Sequence, residues 1–213
     1  SELDNNVLST LILSDGKIII GGDFASLNEI STGKLARLNT NCTLDTSFNP
    51  GTGASGFVFS TSIQSDGKII IGGAFGAYNG NPINGIARLN SNGTLDTTFN
   101  PGMGVDKAVK ITKIQSDGKI IIGGDFTSYN GTTRNGIARL NTNGTLDTSF
   151  NPGTGANGSI TTISIQSDGK IIVGGMFTYY NGTIINKIAR LNTNGTLDTT
   201  FNPGSELNYN VST

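Results

Sequence analysis

The chain has 213 residues, of which 35% are hydrophobic and 14% charged, and it contains 31 glycines. This composition is typical of a globular protein rich in strands and turns. The 14 basic residues nearly balance the 15 acidic ones, so the chain carries no field that would attract nucleic acid or an anionic membrane. No apolar run approaches the roughly 20 residues of a membrane-spanning helix. We expect no nucleic-acid partner and no membrane insertion.

Three short motifs recur four times along the chain with an identical spacing. Ser-Asp-Gly-Lys, Ala-Arg-Leu-Asn and Leu-Asp-Thr-Ser/Thr-Phe-Asn-Pro each return every 51 residues, without insertion or deletion. A strict period means that each copy makes the same contacts with its neighbours, as in a closed ring or a solenoid. The sequence predicts one array, with copies at about 1–51, 52–102, 103–153 and 154–204 and the start of a fifth copy at 205–213.

The second copy illustrates the secondary structure that the repeat predicts. Alternating and apolar runs indicate four strands, at 58–64, 69–75, 86–90 and 94–100. Asp66-Gly67 and Asn92-Gly93 favour tight hairpin turns, because both pairs supply residues that adopt positive φ angles. The segment 76–85 is polar and is predicted to be a loop.

The second predicted strand is apolar throughout, which is typical of a strand buried on both faces. Its paired glycines, Gly72 and Gly73, would let a neighbouring backbone or ring come close. The four strands form an antiparallel meander, and about 50 residues per four-stranded unit is the length of a propeller blade. The predicted fold class is therefore all-β, a β-propeller-like array of four blades.

The runs that carry these motifs between Gln115 and Gly153 resemble the delta-60 repeat family. They read Gln-Ser-Asp-Gly-Lys-Ile-Ile-Ile-Gly-Gly, Ile-Ala-Arg-Leu-Asn and Asn-Gly-Thr-Leu-Asp-Thr-Ser-Phe-Asn-Pro-Gly, and the resemblance covers all four copies. It implies a tandem β-propeller array of a secreted or surface-exposed bacterial protein or of a phage-related protein. It also implies no general catalytic activity.

The residue types present exclude most catalytic designs. The chain has no histidine, which excludes a Ser-His-Asp triad, a Cys-His pair and a histidine-ligated zinc site. Its one cysteine, Cys42, stands where the other copies have a turn glycine, and we interpret it as a tolerated replacement, with an intermolecular disulfide as the alternative. We expect no enzyme and no cofactor.

Two sets of charged residues occupy the same positions in all four copies. A residue needed once for catalysis would not recur four times in equivalent surroundings, so both sets are predicted to be structural. Each arginine is expected to pair with the carboxylate of the Leu-Asp-Thr segment or with backbone carbonyls. The arginines are Arg37, Arg88, Arg139 and Arg190, and the aspartates are Asp45, Asp96, Asp147 and Asp198.

Two weaker acidic patterns remain as alternatives. Asp23 and Asp125 share one repeat position, and a two-carboxylate site would result if both faced a central channel. Two polar residues at a strand end are the simpler interpretation. The segment 90–96 faintly resembles a calcium loop but has one carboxylate, so an Asn-Gly hairpin turn is favoured and no metal site is expected.

The predicted loops are the place where a ligand would bind a repeat protein. A tyrosine beside amide side chains could stack on a sugar ring and hydrogen-bond its hydroxyls. The alternative is a tyrosine that packs over the blade before an Asn-Gly turn. A third pattern, Lys107, Lys110 and Lys113, is assigned to solvation. The candidate ligand-binding residues are Tyr78, Asn79, Tyr129, Asn130, Tyr180 and Asn181.

The two ends of the chain resemble each other more than either resembles the middle. Ser1-Glu2-Leu3 returns as Ser205-Glu206-Leu207 after four periods, which indicates either a superrepeat of a longer array or closure of a four-bladed ring. We expect a non-catalytic extracellular structural or adhesive protein that contacts a surface protein, a glycan or further copies of itself. A lectin that uses the Tyr-Asn-Gly loops is the first alternative, and an enzyme that uses Asp23 and Asp125 is the second.

Overall fold

The computed structural model describes residues 2–202, which form short strands and turns in four equivalent units, here called blades 1 to 4. The first strands are β1 (Val7–Ile12), β6 (Phe57–Ile63), β11 (Val109–Ile114) and β16 (Ser159–Ile165). The second strands are β2 (Ile18–Gly22), β7 (Ile69–Ala74), β12 (Ile120–Gly124) and β17 (Ile171–Met176). The third strands are β5 (Leu35–Leu38), β10 (Ile86–Leu89), β15 (Ile137–Leu140) and β20 (Ile188–Leu191).

Each blade also contains a small hairpin within the segment that was predicted to be a polar loop. Its two strands have two residues each, because an Asn-Gly or Asn-Glu pair reverses the chain at once. The hairpins are β3 (Ser26–Leu27) with β4 (Ile30–Ser31), β8 (Ala77–Tyr78) with β9 (Asn81–Pro82), β13 (Ser128–Tyr129) with β14 (Thr132–Thr133), and β18 (Tyr179–Tyr180) with β19 (Thr183–Ile184).

The main sheet of each blade is an antiparallel meander with the second strand in the middle, as predicted. The fourth predicted strand is reduced to a single bridge, which in blade 2 joins Leu89 and Leu95. The chain turns immediately afterwards, because Asp96 O accepts from Phe99 N (3.2 Å) and the Asp96 carboxylate accepts from Thr98 N (3.0 Å). A strand over 94–100 is therefore wrong beyond that bridge.

The Ser-Asp-Gly-Lys turn has a longer loop than a two-residue hairpin. In blade 2, Gln64 N donates to Lys68 O (2.8 Å), and the three residues between them form the loop. Gly67 alone of these three has a positive φ, of 80°, whereas Asp66 accepts from Lys68 N through its side chain. This is the geometry of a type I turn followed by a glycine bulge.

The second strands are buried and the blades pack through them. All residues of β7 except Ala74 are buried, as expected for a strand covered on both faces. A Cβ on Gly72 would lie 2.7 Å from Val109 Cγ1 of the next blade, and a Cβ on Gly73 would overlap Phe57 O. The glycine pair thus allows the close approach that the sequence indicated.

Consecutive blades contact each other through their first strands. Strand β6 packs on β1, β11 packs on β6 and β16 packs on β11, and each also contacts the second strand of the preceding blade. The hydrophobic core consists of clusters that lie between consecutive blades, such as Ile70 with Val109 and Ile122. Each interface between neighbouring blades adds to the stability of the protein, as in other repeat proteins.

Cys42 was predicted to be a tolerated replacement of a turn glycine. Cys42 is exposed with φ at 64°, and Gly93 has φ at 90° at the same position in blade 2; the cysteine therefore takes the conformation of the turn glycine.

The predicted start of a fifth copy at 205–213, and its pairing with the first strand, lie outside the described residues. The described part of the chain contains no helix long and apolar enough to cross a membrane.

Candidate functional site

Each blade contains an ion cluster in which one carboxylate binds two cations. In blade 2, Asp96 Oδ2 accepts from Arg88 Nε at 2.7 Å and from Lys68 Nζ at 2.8 Å. Its Oδ1 accepts from the Thr98 hydroxyl at 2.6 Å, and the Arg88 guanidinium lies over the Phe99 ring, 5.0 Å from its centroid. Burial raises the pKa of Asp96, but the hydrogen bonds from Lys68 and Thr98 outweigh it and hold that pKa well below its usual range.

The ion clusters also join one blade to the next. Arg88 Nη1 donates to Thr142 O of blade 3 at 2.6 Å, and Asn100 N donates to Asn143 O in the same turn at 2.7 Å. A Cβ on Gly144 would be 2.9 Å from the Phe99 ring. The arginine therefore binds both partners that the sequence offered as alternatives, a carboxylate and a carbonyl.

The sequence pattern did not predict that a lysine joins each ion cluster. In every blade it comes from the Ser-Asp-Gly-Lys turn and reaches an aspartate 28 residues further along the chain. Its recurrence with the arginine and aspartate sets was visible, but the pairing depends on how the third strand returns beside the second. The lysines are Lys17, Lys68, Lys119 and Lys170.

The three loop tyrosines are completely buried. Tyr78, Tyr129 and Tyr180 each have 0% exposure, and the Tyr78 hydroxyl donates to Gly93 O at 2.8 Å. Burial raises the pKa of Tyr78 far above its usual range. Leu27 fills the equivalent position of blade 1 and is also buried. This placement corrects the prediction that the tyrosine rings face a sugar, because a ring inside the blade has no free face.

The asparagines beside these tyrosines fasten the small hairpins. Asn79, Asn130 and Asn181 adopt positive φ angles of 44–46°. Asn79 Oδ1 accepts from Thr52 N at 3.2 Å and Asn181 Oδ1 accepts from Thr154 N at 3.0 Å. These amide oxygens hold the segment that leads into the blade, and ligand binding by the three asparagines stays a prediction.

A further repeat position caps the small hairpins with different residue types. The Asp106 carboxylate accepts from Thr127 N and Ser128 N at 2.8 and 2.9 Å. The Thr127 hydroxyl also donates to this carboxylate. Burial raises the pKa of Asp106, but the hydrogen bonds from the Thr127 hydroxyl, Ser128 N and Thr127 N outweigh it and bring that pKa to about 2. Asp4, Ser55 and Asn157 perform the same capping in the other blades. Because the residue type changes from copy to copy, the common role was not visible in the sequence.

Asp23 and Asp125 each have a lysine partner of their own. Asp23 Oδ1 lies 3.2 Å from Lys34 Nζ, and Asp125 Oδ2 lies 3.5 Å from Lys110 Nζ. Each carboxylate follows the end of a second strand, in line with the simpler interpretation of two polar residues at a strand end. Among residues 2–202, no three acidic or cysteine side chains come together as a metal-binding group.

The first strand of every blade contains a β-bulge at the same place. The register shifts between Val58 and Ser60 in blade 2, and at the equivalent positions of the other blades. A bulge leaves one extra residue unpaired and can re-aim its side chain. The residues before the bulge are alike, whereas the bulge residue differs in each blade: Leu8, Phe59, Lys110 and Thr161.

Four side chains from blades 2 and 3 meet at this bulge and are here called the Phe59 cluster: Phe57, Phe59, Lys110 and Asp125. The two rings have centroids 5.8 Å apart, and Lys110 Nζ lies 3.9 Å from the Phe59 centroid. The assignment of Lys110 to solvation is therefore corrected, since it contacts both a ring and a carboxylate. The missed signal was that blade 2 alone carries aromatic residues in its first strand.

An open groove of about 800 Å³ lies between the turns of blades 2 and 3. Its walls include Asp66, Asp117 and Gln115 from the Ser-Asp-Gly-Lys turns, together with the cations Lys68 and Arg88. Both cations are already bound to the carboxylate of the blade 2 ion cluster. The groove thus follows from the spacing of repeated turns, whereas the Phe59 cluster is particular to one pair of blades.

Repeated antiparallel blades joined by identical ion clusters define a β-propeller repeat protein. The family model described as "Domain of unknown function (DUF5122) beta-propeller" matches residues 13–48, 64–99, 115–150 and 166–201. The chain belongs to this family, which supports the propeller repeat that the delta-60 resemblance implied. No curated protein matches the chain.

Solved structures with a similar fold include propellers of low sequence identity. The WD40 β-propeller domain of Doa1 has a TM-score of 0.53 at 13% identity, with 92% of this chain and 69% of that chain covered. The extracellular domain of a B. thetaiotaomicron protein has a TM-score of 0.51 at 16% identity, with 87% and 21% covered. A Bacteroides caccae protein of unknown function has a TM-score of 0.48 at 10% identity, with 90% and 65% covered. The chain therefore spans less than two thirds of two of these proteins. At these identities, the likeness to the Doa1 domain and to the B. thetaiotaomicron domain shows the fold alone.

Proposed function

We propose that this chain is a non-catalytic structural or adhesive domain that forms a segment of a longer array of blades. The main support is that the charged residues repeated in every copy hold blades together. In three blades the arginine of the ion cluster donates to a carbonyl of the following blade, namely that of Ser91, Thr142 or Thr193. A residue needed once for catalysis would not recur in four equivalent positions, so this recurrence supports a structural role for these residues.

The two edges of the array provide further support. On blade 4 the Arg190 side chain is 22% exposed, whereas those of Arg88 and Arg139 are 8% and 9% exposed beneath the following blade. On blade 1, Val7 is 38% exposed, whereas Val58 is fully buried against the preceding blade. Each edge presents residues that dock a neighbour elsewhere in the array, and further copies of the repeat are proposed to add there.

The proposed location is the cell surface or the extracellular space, with a phage virion as the other setting that the delta-60 resemblance implies. One of the similar structures is an extracellular domain. The small proportion of charged residues suits a surface that makes contacts without a strong electrostatic field. The proposed partners are a surface protein, a glycan or further copies of the repeat, and delta-60 is the proposed repeat type.

Electron microscopy of the native protein tests the array directly. Class averages should show more than four blades per unit, or units joined end to end, if further copies of the repeat add at these edges. A matched preparation of the 213-residue chain serves as the size reference. Discrete four-bladed rings in the native protein would contradict the proposal.

A further inference from the structure

The Phe59 cluster presents an aromatic surface that is unusual in this chain. Phe57 is 41% exposed, whereas Phe75 and Phe126 are 5% and 1% exposed within their blades. Phe57 pairs across the sheet with Ala74, whose small side chain leaves the ring uncovered. The Phe57 and Phe59 rings are inclined by 36° at a centroid separation of 5.8 Å, and the exposed Phe57 ring is the apolar platform of this site.

A donor and an acceptor stand at the border of this platform, because the Lys110 ammonium lies over the face of the neighbouring Phe59 ring. Lys110 Nζ lies 3.9 Å from the Phe59 centroid and 3.5 Å from Asp125 Oδ2. The Lys110 and Asp125 side chains are 31% and 38% exposed, so both retain hydrogen-bonding capacity toward solvent. Their charges cancel, and the border is therefore polar without being charged overall.

This combination restricts the chemistry of a ligand. A purely apolar side chain on the platform would cover Lys110 and Asp125 without giving them hydrogen-bond partners, which costs free energy. A strongly charged ligand would meet a pair that is already neutral. A sugar ring has one face of C–H groups for the aromatic ring and hydroxyls at its rim that both donate and accept.

We propose that the Phe59 cluster binds a neutral sugar ring of a glycan, stacked on Phe57 and hydrogen-bonded to Lys110 and Asp125, with the Phe59 ring holding the Lys110 ammonium in place. The inference deepens the proposed adhesive function, on which it rests, by naming the class of partner. The site uses residues that differ between copies, because the aromatic pair of blade 2 is replaced by Asn6 with Leu8, Ala108 with Lys110 and Ser159 with Thr161 in the other blades. One such site is therefore expected within residues 2–202.

Saturation-transfer difference NMR on the 213-residue chain tests this site with a panel of neutral sugars. The panel contains mono- and oligosaccharides of glucose, galactose, mannose and N-acetylglucosamine. At least one sugar is expected to bind, with the strongest saturation on the ring C–H protons that stack on Phe57. Phe57→Ala is expected to weaken that binding by about tenfold. Lys110→Met, which retains the aliphatic stem, is expected to weaken it severalfold.

The controls separate this site from folding and from the array. Ile184→Ala replaces a side chain that is 70% exposed on blade 4 and should leave sugar binding unchanged, and circular dichroism reports folding of each variant. If Phe57→Ala disturbs the fold, Phe59→Ala and Lys110→Met provide a second comparison, because each of them disturbs the Lys110 donor. Failure of every sugar to bind, binding that survives these substitutions, or selection of a peptide ligand in place of a sugar would overturn the assignment. None of these results bears on how many blades the native protein has.

Discussion

Gly72 of blade 2 lies directly against Val109 of blade 3, and a Cβ added to Gly72 would be 2.7 Å from Val109 Cγ1. The same contact joins Gly21 to Val58 and Gly123 to Ile160. Each blade therefore approaches the next through a glycine of its second strand. The close approach, rather than the backbone conformation, requires glycine at this position, because the φ angle of Gly72 is not in the left-handed region.

Gly72→Ala is expected to destabilise the protein by about 1–3 kcal/mol, because the added methyl group overpacks a buried contact between β-strands. Urea denaturation measures the loss. Gly76→Ala in the same blade is the matched control, since its Cβ would meet no atom closer than 3.7 Å. Equal effects of the two substitutions would show that the interblade contact does not limit stability.

Arg88→Ala is expected to lower the free energy of unfolding by about 2 kcal/mol, because it removes charge-assisted hydrogen bonds to Asp96 and to a carbonyl of blade 3. Arg190→Ala should cost less than half as much, since the Arg190 side chain is 22% exposed against 8% for Arg88. Denaturation of the two variants under identical conditions gives the comparison. A larger loss for Arg190→Ala would contradict the interblade role of Arg88.

Acid is expected to destabilise the protein through the four ion-cluster aspartates. Their hydrogen-bonded partners hold the pKa of each carboxyl well below its usual value of 3.8. A carboxyl with a lowered pKa in the folded state adds stability that is complete above the unfolded pKa and is lost as the pH falls through the folded one. The loss should therefore begin near pH 4 and continue to the lowest pH at which the protein remains folded.

Urea midpoints measured from pH 7 to pH 2 test this dependence. The Asp96→Asn variant should be less stable at pH 7, and its stability should fall less steeply with acid because one of the four groups no longer titrates. A midpoint that stays constant between pH 5 and pH 2 in the unaltered protein would contradict the role of the carboxylates.

Tyr129→Phe is expected to cost about 1 kcal/mol, because it leaves Gly144 O without the hydroxyl that donates to it inside the blade. Tyr179→Phe is the control, as Tyr179 is 44% exposed and substitutions of exposed residues change stability by less than about 0.5 kcal/mol. Thermal unfolding distinguishes the two variants. Neither should change sugar binding at the Phe59 cluster, and a loss of that binding in Tyr129→Phe with unchanged stability would contradict the structural role of the tyrosine.

The repeat, the first three strands of each main sheet and the turn residues could be predicted from the sequence. A period of 51 residues without a gap requires equivalent units, and the apolar run around Ile70 and Ile71 indicates a buried central strand from local pattern alone. The pairing of Arg88 with Asp96 could also be predicted, because both residues recur in every copy. Recurrence at fixed spacing reports on architecture, and these features are architectural.

Other features depend on contacts that only the tertiary structure decides. The sequence leaves open whether Tyr129 faces solvent or the core, since a two-residue hairpin turns its ring inward to meet Gly144 O. The Phe59 cluster joins Phe59 and Asp125 from different blades, and a β-bulge directs the ring toward Lys110. Local pattern fixes which residues form each blade, whereas the side chains available to a ligand follow from how one blade packs on the next.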